Sequence, residues 1–162
     1  ADTLPIARQA AAGASLEDVT SLIKRMIPRT RMIQTADTLR YLYMGGRIGR
    51  ARHLLGSLLS IKPLISMEDG VITTLGVARS RTKAYGRIAS LLARAVGEGS
   101  EVRVALTHAA ARGEAEKLLQ RIEKYVIPVE VLCCELSPAL TVHSGPGTVG
   151  ACYVPEAALR ED

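Results

Sequence analysis

The chain has 162 residues, 48% of them hydrophobic, yet it contains no Trp and no Phe, and its formal net charge is +5. That length suits one domain, or one domain with a small annex, whose interior must be built from Leu, Ile, Val, Ala and Met. Scarce aromatics argue against a base-stacking nucleic-acid surface, and the positive balance admits an anionic ligand without demanding nucleic acid.

Three cysteines, Cys133, Cys134 and Cys152, form neither a paired framework nor a C-x-x-C spacing, which favours a reducing compartment and gives no metal-ligand pattern. No stretch reaches the roughly 18 apolar residues of a membrane span and no leader pattern is present, so the sequence reads as soluble and cytoplasmic. It opens on Ala1 and Asp2 inside helix-like sequence at 5–12, as a fragment or processed chain would.

Ser15 and Asp18 resemble a capping box, followed by Leu16, Val19, Ile23 and Met26 at helical spacing, with Leu22 and Ile27 widening the stripe until Pro28. Residues 30–35 lean towards β structure. Asp37 and Thr38 are placed to cap a helix carrying Leu39, Leu42 and Tyr43 up to Gly45 and Gly46. A further helix is expected from Arg47 to about Leu59, with Ile48, Ala51, Leu55 and Leu58 on one face, extended by Leu54, Leu59 and Ile61. Beyond Ile61 the period becomes strand-like, and Asp69-Gly70 predicts a tight hairpin between strands near 63–67 and 71–78. Residues 79–83 start a helix with Ala84, Ile88, Leu91, Leu92 and Ala95 inside, stopped by Gly97 and Gly99. Val102, Val104 and Leu106 alternate as a strand. A helix with Ala115, Leu118, Leu119, Ile122 and Tyr125 inside then runs to Pro128, which closes it. A strand near 129–135, a loop over 137–147 and a last strand at 148–154 complete the chain. The succession predicts an α/β (α+β) sandwich with a mixed sheet.

Two stretches carry candidate chemistry. Gly45-Gly46-Arg47-Ile48 joins a turn rich in free N–H groups to a local positive field from Arg40, Arg47, Arg50, Arg52 and Lys62, with no carboxylate between Thr38 and Ser66. Such a turn suits an anion, and it equally suits a helix–helix corner with solvated arginines. It matches neither a dinucleotide fingerprint nor a P-loop. Residues 141–150, TVHSGPGTVG, place His143 and Ser144 beside three glycines and a proline, as a ligand-holding loop or as a purely structural turn. Arg79, Arg81, Lys83 and Arg87 form a third basic group, at a helix start where cations oppose the dipole. No nucleophilic triad, paired carboxylates or metal set can be assembled from the spacing.

These residues resemble a known family. Asp37 to Ile48 (DTLRYLYMGGRI), Leu55 to Pro63 (LGSLLSIKP), Glu68 to Gly70, Val77 to Ala84 (VARSRTKA) and His143 to Gly147 (HSGPG) fall in the order of the DegV family of bacterial fatty-acid-binding proteins, from about residue 10 onward. The resemblance implies a mixed, mostly antiparallel sheet packed against helices. It also implies a non-catalytic lipid carrier that buries a long-chain fatty acid, with no cofactor, and presents the carboxylate to a separate ATP-binding fatty acid kinase subunit. Carried over, Arg47 and His143, with Gly45 and Gly46, fall at the head-group end; Arg50 and Arg79 match basic positions for phosphoryl transfer or kinase docking. Family members are about twice this length and carry a Thr-Ser-Gln-Pro-type loop that is absent here. On this reading residues 1–35 are the remnant of an N-terminal α/β domain and 36–162 the lipid-binding C-terminal domain, the missing N-terminal part lying elsewhere. The competing reading from a different class is a basic regulatory or nucleic-acid-binding module working through the arginines at 40–52.

Overall fold

A computed structural model describes residues 4–57 and 61–160, with the backbone alone at 55–57. Six strands form one open sheet: β1 (Arg31–Thr35), β2 (Lys62–Glu68), β3 (Val71–Ala78), β4 (Glu101–His108), β5 (Ile127–Glu135) and β6 (Val149–Pro155), in the order β3-β2-β1-β6-β4-β5. All pairings are antiparallel except β4 with β5, which the helix between them makes parallel. The sheet is therefore mixed and mostly antiparallel, as expected. β1 lies between β2 and β6, so the strand at 31–35 belongs to the same sheet as the strands that follow residue 36.

Strand alternation divides the core. On one face Ile33, Leu64, Val102, Val104, Leu106, Val149, Ala151 and Tyr153 pack against α4 (Arg81–Val96) and α5 (Arg112–Ile122). Ile65 and Val154, the neighbours of Leu64 and Tyr153, point the other way into two smaller clusters. Ile65 meets Leu39, Leu42, Ile48 and Ala51; Val154 meets Leu22, Met26 and Ala158.

The local signals explain most elements. α1 spans Leu4–Ala11 and α2 spans Leu16–Met26. Ser15 and Asp18 close a reciprocal capping box, Asp18 N–H donating to Ser15 Oγ at 3.1 Å and Ser15 N–H to Asp18 Oδ2 at 3.0 Å. The α2 stripe is narrower than its periodicity predicts: Leu22 and Met26 are buried, whereas Leu16 is 83% and Ile27 67% exposed. One cluster against a single strand leaves room for only part of the apolar face. The β2–β3 hairpin turns on Asp69 (φ 49°) and Gly70 (φ 75°), the pair of positive φ values a type I′ turn requires.

Four expectations need correction. The helix predicted from Arg47 is instead a 3-10 segment, Gly49–Ser57, with Gly49 in the left-handed region pressed on the Ile72 carbonyl of β3. Its proposed end near Leu59, and the side chains of Leu55, Leu58 and Leu59, lie outside the described residues. In α4 the helix starts at Arg81 with Ser80 as N-cap, Ala95 is exposed, and Tyr85, Ala89 and Ala93 join the buried face. α5 ends at Ile122 rather than at Pro128, leaving Tyr125 exposed. Pro128 instead lies inside the edge strand β5; Ile127 N–H donates inward to Ser100 O, so by alternation the proline nitrogen faces the open edge, where no ladder donor is needed. Finally, the loop expected over 137–147 contains α6, Pro138–Ser144, with Pro138 fixing the first-turn φ and Gly145 (φ 82°) ending it. Thr141 and Val142, β-branched, hide that helix from propensity.

Burial separates two leucines that periodicity treats alike. Leu118→Ala should cost about 2–5 kcal/mol in urea unfolding, and Leu16→Ala less than about 0.5 kcal/mol. Equal losses would place Leu16 in the core.

Candidate functional site

The site grows from the end of α3 (Arg40–Met44). Gly46 takes φ 67°, and Arg47 N–H returns to Leu42 O at 2.8 Å while Gly46 N–H reaches Tyr43 O at 3.0 Å, a Schellman closure that needs a residue without Cβ strain. Gly45 serves a different purpose. A methyl group on it would stand 2.1 Å from His143 Nδ1, so the imidazole occupies the space a side chain would fill. A methyl on Gly145 would likewise stand 2.3 Å from the Tyr41 ring. α3 and α6 thus clasp each other through two glycines, each facing a ring on the other element.

Arg47 closes the group. Its Nη1 donates to Gly45 O at 2.8 Å, folding the guanidinium back over the residue that seats His143. Gly45, Gly46, Arg47 and His143, named from sequence blocks almost a hundred residues apart, therefore come together. His143 is half-buried in the last turn of α6, not on a loop, and its Nδ1 and the adjacent Ser144 Oγ are buried without a hydrogen-bond partner. Arg50 does not join them: it faces Glu68 of the hairpin at 3.6 Å, both side chains largely exposed. Arg79 is exposed ahead of the α4 cap and makes no ion pair among the described residues.

Beside this group lies an ion cluster that sequence reasoning missed. Asp37 and Thr38 are placed in the sequence to cap α3, but its N-cap is Leu39 without a side-chain cap bond, and Thr38 Oγ1, just ahead of the helix, accepts Arg40 N–H at 3.1 Å. The Asp37 carboxylate instead accepts Lys62 Nζ on Oδ1 at 2.6 Å and Arg81 Nη2 on Oδ2 at 2.5 Å. Arg81 Nη1 donates to Tyr85 Oη at 3.1 Å, and Tyr85 Oη–H donates to Glu114 Oε2 at 2.7 Å. Partial burial pushes the Asp37 carboxyl up, but hydrogen bonds and charge from Lys62 and Arg81 outweigh it and hold the group below the usual carboxylate range. Burial pushes the Tyr85 phenol up to about 12, so it stays a donor. The contacts join residues 25 and 44 positions from Asp37. Only the unfavourable run of cations at the start of α4 hinted at a counter-charge. Arg87 of that run donates to the Val77 and Leu75 carbonyls.

Among the described residues, no group of three or more His, Cys, Asp or Glu could hold a metal ion, and no helix is long and apolar enough to cross a membrane.

The sequence model of the family described as "Uncharacterised protein, DegV family" matches residues 3–156. The chain belongs to the DegV family. Curated relatives include a DegV domain-containing protein of Clostridium acetobutylicum, 31% identical over 154 residues covering 95% of this chain and 54% of the relative. Another, from Streptomyces coelicolor, is 34% identical and covers 91% and 52%. The chain spans about half the length of the curated relatives it matches. Among solved DegV structures, one described as a fatty-acid-binding family protein from Thermus thermophilus superposes with a TM-score of 0.87 at 27% identity, covering 94% of this chain and 55% of that one. The Bacillus subtilis DegV, described as a fatty acid binding protein, gives 0.76 at 30%, covering 94% and 55%.

The depressed Asp37 pKa fixes a sign. Its contribution to the stability of this DegV chain is present above the unfolded value of about 3.9 and is lost as pH falls through the lower folded value. Asp37→Asn should therefore melt lower than wild type at neutral pH, with the gap closing below about pH 4. A gap that stayed constant through the acid range would show that Asp37 is not ion-paired in solution.

Proposed function

We propose that this chain carries the lipid-binding domain of a fatty-acid-binding protein and one wall of its carboxylate site. The observation that carries the reading is the convergence of Arg47 and His143 on Gly45, beside solved relatives that are described as binding fatty acids. A guanidinium fork and an imidazole are matched to the two oxygens of a carboxylate, and charge-assisted bonds of this kind are the strong ones. Because Nδ1 is turned onto Gly45, Nε2 is the ring nitrogen left to meet the ligand. Each buried acyl methylene contributes about 0.8 kcal/mol, so a long tail against an aliphatic surface supplies ample affinity.

On this reading the ligand is a long-chain fatty acid and the chain is a carrier, not an enzyme. A separate ATP-binding kinase subunit phosphorylates the presented carboxylate to an acyl phosphate in the cytoplasm, and exposed Arg50 and Arg79 serve that subunit or the transferred phosphoryl group. Residues 1–35 lead in from a preceding domain and lend β1 to the sheet of the lipid-binding residues 36–162, and the length missing relative to the family supplies the rest of the site.

The test is denaturing extraction of the protein, purified at its full natural length, followed by mass spectrometry. Near-stoichiometric fatty acid is expected, and none would overturn the reading. His143→Ala and Arg47→Ala should lose most of the bound fatty acid while melting close to wild type. Variants that melt much lower yet keep their lipid would assign both residues to packing. Acyl phosphate should form only when the ATP-binding subunit is added; ATP turnover by this chain alone would contradict the carrier role.

A further inference from the structure

The Asp37–Arg81 pair lies directly under the loop that follows His143. A methyl group at Gly147 (φ 78°) would stand 2.6 Å from both Arg81 Nη2 and Asp37 Oδ2, so the loop backbone rests on the ion pair itself. From the other side the loop is pinned to the end of β4: Gly147 N–H donates to Ala109 O at 2.8 Å, and Ala109 N–H to Thr148 O at 2.9 Å.

Each charged group is held at two points. Asp37 has both carboxylate oxygens engaged, one by Lys62 at the start of β2 and one by Arg81 at the start of α4. Arg81 is backed by Tyr85, which is held in turn by Glu114 of α5, and Glu114 accepts Lys117 Nζ at 2.7 Å. The network thus ties the segment before α3 to β2, α4 and α5. Its side chains remain partly exposed, 39% for Asp37 and 27% for Arg81, so its Coulomb contribution to folding is modest. Its geometry is more constrained than its energy, since Arg81 gives one guanidinium nitrogen to Asp37 and the other to Tyr85, and both oxygens of the Asp37 carboxylate are engaged. A rigid support of small energetic weight beneath a ligand-bearing turn is what orienting a functional side chain requires.

We propose that Asp37 and Arg81 are positioning residues for His143: their ion pair is the seat on which the Gly145–Gly147 loop rests, and it sets where the imidazole stands against Gly45. The ligand this serves rests on the fatty-acid reading above; the seat itself does not. The proposal assigns no direct ligand contact to either residue.

The test reads His143 itself. Ring-nitrogen NMR of histidine-labelled protein near neutral pH, with His143 assigned by His143→Ala and exposed His53 as an internal reference, is compared for wild type, Asp37→Asn and Arg81→Met. Both variants are expected to move the His143 ring shifts and tautomer balance with the His53 signals unchanged. They should also weaken palmitate binding by about tenfold or more, as when a charge-assisted hydrogen bond is lost. In a His143→Ala background Asp37→Asn should add no further loss, which a general weakening of the fold would. Gly147→Ala, which keeps both charges but sets a methyl group on the pair, should reproduce the spectral change and covers the case where a charge variant does not fold. Unmoved His143 signals in the folded variants would overturn the seat. If those signals move while His143→Ala binds palmitate like wild type, the seat stands and the fatty-acid reading falls.

Discussion

Three of the places where a glycine backbone meets another group too closely for a methyl group govern the setting of α6. At Gly45 an imidazole fills the space, at Gly145 a tyrosine ring, at Gly147 an ion pair. Each is a close approach between elements far apart in sequence, and together they fix α6 and its loop against α3 and the start of α4. Close packing of this kind tolerates little adjustment, because protein interiors yield by discrete rearrangement rather than by stretching. The position of His143 is thus set by what its neighbours lack as much as by what they carry.

The sheet provides the frame. β1 pairs with β2 and β6 at once, joining the hairpin side to the β4–β5 side, and the segment that emerges from it runs directly into Asp37 and α3. α4 and α5 pack on one face over the main core, while the other carries two smaller clusters around Ile65 and Val154. The patch around Ile65 is the one that supports α3, so burial of Leu39 and Leu42 is what brings Gly45 to His143.

The elements most legible in the sequence were those whose signal is local. The Ser15–Asp18 box, the Asp69-Gly70 turn and the alternation of Val102, Val104 and Leu106 all recur in the structure because each is decided within a few residues. Propensity failed where tertiary contact decides: Gly49 against Ile72 turned an expected α-helix into a 3-10 segment, and Pro138 started a helix where turn residues predicted a loop. The grouping of Arg47 with His143 followed from family blocks, not from spacing. The partners of Asp37 carried no local signal at all, since a carboxylate that leaves a capping position for a lysine and an arginine in other elements looks the same in sequence as one that stays.

The outermost strand sets the limit of the sheet. β5 shows Ile127, Val129 and Val131 at its surface, a row of apolar, β-favouring side chains beside an open edge, which is the usual invitation to pair with another chain. Pro128 withdraws that invitation at its first step: with no N–H to offer outward, it leaves an incoming strand a gap in the ladder exactly where register would have to be established. Growth of the sheet is thereby discouraged by covalent structure, independent of charge, salt or pH.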